Sequence, residues 1–167
     1  MKKFFLVFGL LGLGTTGALA ATINVPADHG TIEAAIAAAG PFDTITIDNG
    51  TYNPASTLTI DKALTISGAS EAGVVINIPA AGYGMSLKAS DILLENFTLV
   101  GNAANGNFPI HASGTTNLPG GFDNLTLQYI TIQGSHVRTG FDFNGYNQLV
   151  LSHLTSNGAS GGNGVQI

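Results

Sequence analysis

The chain alternates apolar and polar residues in a phrase that returns along its length. Ile92-x-Leu94 leads to the pair Glu95-Asn96, then to Phe97-x-Leu99 and Gly101. The phrase recurs as Leu125-x-Leu127, Gln128-Tyr129, Ile130-x-Ile132, Gly134, and again as Leu149-x-Leu151, Ser152-His153, Leu154, Gly158. A looser first copy is Leu58-x-Ile60, Leu64-x-Ile66, Gly68, and the closing glycines stand 33, 33 and 24 residues apart. Strand-like alternation at such a period predicts a β-solenoid. The middle pair carries the geometry. Strict alternation would turn Asn96 inward after Ile92 and Leu94, yet the next apolar residue is Phe97, so the phase slips by one. The chain must bend there and start a second strand facing the same interior.

A third strand per coil is expected at Met85-x-Leu87, Phe108-x-Ile110, Phe141-x-Phe143 and Val165-x-Ile167. Upstream, Thr31 to Ala39 reads as one short helix. Thr31 is suited to cap it, Glu33 falls in the positive first turn, and Ile32, Ala35, Ile36 and Ala39 form a single apolar stripe. Gly40-Pro41 ends it. Such a helix would cover the first coil, whose core and backbone edge are otherwise bare. Thr44 to Asp48 alternates as a strand, with Asn49-Gly50 as its turn.

Residues 1–20 read as a secretory signal peptide: Lys2-Lys3, an apolar run from Phe4 to Leu13, and Ala18-Leu19-Ala20 as cleavage site. The domain then covers 21–167. Its charge falls to −7, because only Lys62, Lys88 and Arg138 face ten acidic residues. That balance argues against a nucleic-acid partner, whose phosphates need basic residues. After signal cleavage no segment reaches membrane-spanning length, and there is no cysteine for disulfides. A secreted or cell-surface protein, bacterial by its compact leader, is the expectation. The chain stops at Ile167 within a coil, which points to truncation at the C-terminus, with more coils downstream.

The run from Ile23 to Asn53 resembles the opening of secreted right-handed parallel β-helix proteins of the pectate-lyase-like superfamily. The matching positions are Thr31, Ile32, Ala35, Ile36 and Ala38, then Asp43, Thr44, Ile45, Ile47, Gly50, Thr51 and Tyr52. Segments 140–158 and 161–167 are similar to the generic repeat of the same superfamily. The resemblance implies an all-β, right-handed parallel β-helix with an N-terminal capping helix. It also implies an extracellular polysaccharide as partner, with calcium as the one cofactor to consider; the residues themselves point to no cofactor and no metal site.

Members of that superfamily act on the outer face of one sheet, so the outward positions of the third strands are the place to search. Aligned by their apolar pairs, one column reads Ser86, Pro109, Asp142, Gln166 and its neighbour Lys88, His111, Asn144. With coils about 4.8 Å apart, Lys88, His111 and Asp142 fall in one patch, with Arg138 and His136 in the loop before it. Lys88, His111, Arg138 and Asp142 are therefore the acid/base candidates, and Asn144, Tyr146 and Gln166 the substrate-binding ones. One carboxylate is fewer than a calcium-dependent lyase or a paired-carboxylate hydrolase needs. The expected function is recognition of an extracellular polysaccharide and, in full-length form, its cleavage by lyase- or hydrolase-like chemistry. The alternative is a non-catalytic surface or adhesion β-solenoid.

Overall fold

At each expected corner the backbone turns through one left-handed residue: Asn96 with φ 62°, Tyr129 with φ 52° and His153 with φ 51°. Left-handed backbone costs a non-glycine residue about 1–2 kcal/mol, so three such residues in one place mark a constraint of the architecture. The slip works as the alternation requires. Leu94 and Phe97 flank the corner and both are fully buried, as are Leu127 and Ile130 in the next coil.

The computed structural model describes residues 19–79, 82–101, 108–113, 121–134, 141–144, 146–157 and 165–166. Of residues 1–20, expected from the sequence to be a signal peptide, only the last two fall among them. Thirteen strands and one helix are described: β1 (Thr22–Val25), α1 (Ile32–Ala38), β2 (Thr44–Ile47), β3 (Gly50–Tyr52), β4 (Leu58–Ile60), β5 (Leu64–Gly68), β6 (Val74–Asn77), β7 (Met85–Leu87), β8 (Ile92–Gly101), β9 (Ile110–Ser113), β10 (Leu125–Gly134), β11 (Phe141–Asn144), β12 (Leu149–Ser156) and β13 (Val165–Gln166). Every pairing between them is parallel.

One sheet runs β1-β2-β5-β8-β10-β12, with β3 and β6 joined to it along the second halves of the bent strands. The other runs β4-β7-β9-β11-β13. Each strand pairs with the equivalent strand one coil on, which is the parallel β-solenoid expected. Ladders of Ile, Leu, Val and Phe fill the interior, one of them running from Ile45 through Ile66 and Leu94 to Leu127.

The helix is shorter than its sequence signature by one residue at each end. Thr31 is the N-cap, its side chain accepting from Ala34 N at 3.2 Å. Ile32, Ala35, Ile36 and Ala39 are all buried, so the stripe read from the sequence is the face that packs. Lys62 closes the other end, its Nζ donating to the carbonyls of Ile36 at 3.2 Å and Ala39 at 3.1 Å. Asp43 pins the start of the first coil: Oδ1 accepts from Ala21 N and Oδ2 from Gly40 N, both at 2.7 Å.

Two expectations are corrected by the register. Leu58-x-Ile60 is not the first half of a bent strand; it belongs to the other sheet and pairs with Met85–Leu87. The true early copy is Leu64-x-Ile66, against Ile92-x-Leu94, followed by Val74-x-Ile76, which runs alongside Thr98 and Leu99. Leu58 and Leu64 both alternate and are separated only by Asp61-Lys62-Ala63 with their flanks, so the pattern cannot tell a corner from a change of sheet. Gly68, the last residue of β5, consequently lies level with the corner at Asn96 and not with the closing Gly101. A Cβ there would strike the carbonyl oxygen of Asn96.

Candidate functional site

The third-strand sheet presents its outer face through alternate residues of β4, β7, β9 and β11. In register these read Thr59, Ser86, His111, Asp142, with Gln166 of β13 next. This differs from the column expected from sequence, which placed Pro109 beside Ser86 and moved His111 to the adjacent row. The inward pair of β9 is Ile110 and Ala112, not Phe108 and Ile110. Small Ala112 faces Leu87 and Phe143 inside the coil, while Phe108 stays ahead of the strand. The shift of two residues brings Ser86, His111 and Asp142 into one line across three adjacent coils.

His111 and Asp142 meet directly. Nδ1 of His111 lies 2.8 Å from Oδ2 of Asp142, with the aspartate side chain 5% exposed and the histidine 16%. An ionised carboxylate only accepts. Nδ1 therefore carries the hydrogen and donates, and in the neutral ring Nε2 is the acceptor. The ring is also held from the side. Tyr83 stacks on it at a centroid distance of 4.3 Å with planes 23° apart, and Phe108 at 5.5 Å and 14°. Tyr83 is placed by Thr57, whose hydroxyl donates to Tyr83 O at 2.9 Å and accepts from Tyr83 N at 3.0 Å. The loop leading into β7 is tight enough to need glycine: Gly82 has φ 91°, and a Cβ on Gly84 would strike the carbonyl oxygen of Pro109.

In front of this array is an open groove of about 450 Å³, lined by Thr57, Thr59, Tyr83, Ser86, Lys88 and His111. It combines three hydroxyls from Ser and Thr, a phenol, an imidazole and one exposed ammonium. Asp142 sits behind His111 and does not line it.

The remaining candidates separate. Lys88 is exposed at the groove. Arg138 and His136 lie outside the described residues. Asn144 ends β11 in register with Ser113, and Gln166 pairs with Asp142 at the far end of the sheet. Tyr146 is built into the packing: its hydroxyl donates to Ala89 O at 2.8 Å and its ring sits 5.5 Å from Phe122. Burial pushes that phenol well above the usual tyrosine range. Sequence reasoning passed over Ser86 as a partner of His111 and did not place the rings of Tyr83 and Phe108 against the imidazole. The signal was Ala112, a small apolar residue that alternates with Ile110.

Calcium takes six to eight oxygen ligands. The groove side chains offer hydroxyl oxygens and no carboxylate, so this lining does not fit the ion. Among the described residues no group of three or more His, Asp or Glu side chains is placed to hold a metal, and no helix is long and apolar enough to cross a membrane.

No protein-family model matches the chain, and neither a curated protein nor a solved structure matches it.

Proposed function

We propose that this protein is an extracellular polysaccharide-binding β-solenoid of pectate-lyase-like kinship, with its sugar site on the outer face of β4, β7, β9 and β11. The observation that carries the reading is the groove lined by Thr57, Thr59, Tyr83, Ser86, Lys88 and His111. Sugar recognition calls for hydroxyl and amine groups that exchange hydrogen bonds with sugar hydroxyls, beside an aromatic edge that shelters the apolar ring face. The groove supplies both. It also follows stacked coils, so a linear polymer meets repeated polar positions along its path. The N-terminal leader supports an extracellular setting, where such polymers occur.

Retention on a panel of immobilised polysaccharides tests this. The full chain should be retarded by at least one, and Tyr83→Ala or Lys88→Ala should release it by several-fold. A folded protein that no polysaccharide retards overturns the reading and leaves the non-catalytic scaffold in its place.

A further inference from the structure

We infer that the line Ser86–His111–Asp142 is an acyl-transfer site, and that the protein removes ester-linked acyl groups such as O-acetyl from the polysaccharide in its groove. The inference rests on the binding reading above and adds chemistry to it. Three facts converge. His111 is the register partner of Ser86 on one side and of Asp142 on the other, on consecutive coils. The base is already oriented, because Asp142 holds Nδ1 of His111 at 2.8 Å. Ser86 is only 4% exposed, lines the groove, and its hydroxyl makes no hydrogen bond among the described residues. Ser86 stands one coil from this imidazole in strand register, and an ester seated over the two would bring nucleophile, base and orienting carboxylate into line.

The row of residues also decides the reaction class. Glycoside hydrolysis commonly uses two carboxylates flanking the bond, whereas the groove presents a hydroxyl and an imidazole. In the step, Ser86 Oγ bonds to the ester carbonyl carbon as its proton passes to Nε2 of His111. The tetrahedral oxyanion lies on the face that carries Lys88, whose ammonium offsets the developing charge. Collapse breaks the bond to the sugar oxygen, which leaves with the proton from Nε2. Water then attacks the acyl-serine, giving its proton to His111, and the acid departs as Ser86 regains its hydrogen. Asp142 touches no substrate; it is a positioning residue.

The test measures acetate released from acetylated xylan and nitrophenol from 4-nitrophenyl acetate by the full chain, with retention on an acetylated-xylan gel in parallel. Wild type should turn over both, and Ser86→Ala should lose about 10²-fold or more in kcat with an unchanged circular-dichroism spectrum. His111→Gln, which keeps a donor for Asp142, should lose a similar factor, and Asp142→Asn should lower kcat with little change in KM. Phenylmethylsulfonyl fluoride should label Ser86 in wild type and not in His111→Gln. Gel retention without acetate release overturns the hydrolytic assignment and leaves the binding reading intact; loss of both removes both. Undiminished turnover in a folded Ser86→Ala protein also overturns it.

Discussion

His111 donates from Nδ1 to Oδ2 of Asp142 at 2.8 Å, from one coil to the next, and the aspartate beneath is 3% exposed as a residue. Within a parallel ladder two outward residues in register are neighbours by construction, so the contact is a consequence of winding. Thirty-one residues of chain separate the pair. Removing the imidazole strips a buried carboxylate of this donor, which typically costs about 1–3 kcal/mol. His111→Ala is expected to lose that much stability in urea unfolding, and Asp142→Asn less. Equal stability of His111→Ala and wild type would contradict the pairing.

The corners give a backbone prediction. Asn96 sits at φ 62°, where a β-branched side chain is the worst choice and glycine the easiest. Asn96→Val should lower stability by about 1–2 kcal/mol, and Asn96→Gly should stay within roughly 0.5 kcal/mol of wild type. Urea midpoints of the two variants make the comparison; a Val variant as stable as the Gly variant would refute the left-handed corner.

Leu127 is fully buried in the ladder between Leu94 and Leu151. Leu127→Asp places an unpaired charge there and is expected to prevent folding, while Leu127→Ala should cost about 2–5 kcal/mol. Solubility and far-ultraviolet circular dichroism report the first and thermal melts the second. A soluble, cooperatively melting Asp variant would show that the residue does not face the interior.

Acid should loosen the capped end. The N–H of Ala21, then that of Gly40, hold the carboxyl of Asp43 below its usual value, with Lys62 adding to the effect. A group whose folded value is depressed contributes stability above its unfolded value, and loses it as pH falls through the folded one. The melting temperature should therefore start to drop below about pH 5 and go on falling as pH passes through the depressed folded value. In Asp43→Asn, which cannot titrate, that part of the slope should vanish. Parallel pH–melting curves for the two proteins would rule Asp43 out as the cause.

Tyr129 and His153 show how far the fold was legible. Both were read as corner residues because the apolar phase slips beside them. Both do turn through positive φ, and their rings stack 4.4 Å apart. The capping stripe of α1 was equally readable, since a seven-residue helix with one apolar face has a single way to bury it. The site was legible only in part. Lys88, His111 and Asp142 were gathered from alternation, but Ser86 was set in the wrong row relative to His111.

By itself, then, the sequence determined the parallel solenoid, its corner residues and its helical cap. These follow from local periodicity and from which residues must leave water, and every coil states them anew. Tertiary structure alone decided which residue of one coil lies over which residue of the next. Phe108 or Ala112 can each alternate with Ile110, and hydrophobicity favours the larger ring. The interior beside Leu87 and Phe143 took the small side chain instead, and left Phe108 to stack on His111. A two-residue register shift conserves every inward and outward assignment of the strand, so no pattern along one chain segment can detect it. It nevertheless changes each neighbour across the ladder, and it is what sets Ser86, His111 and Asp142 in a single line.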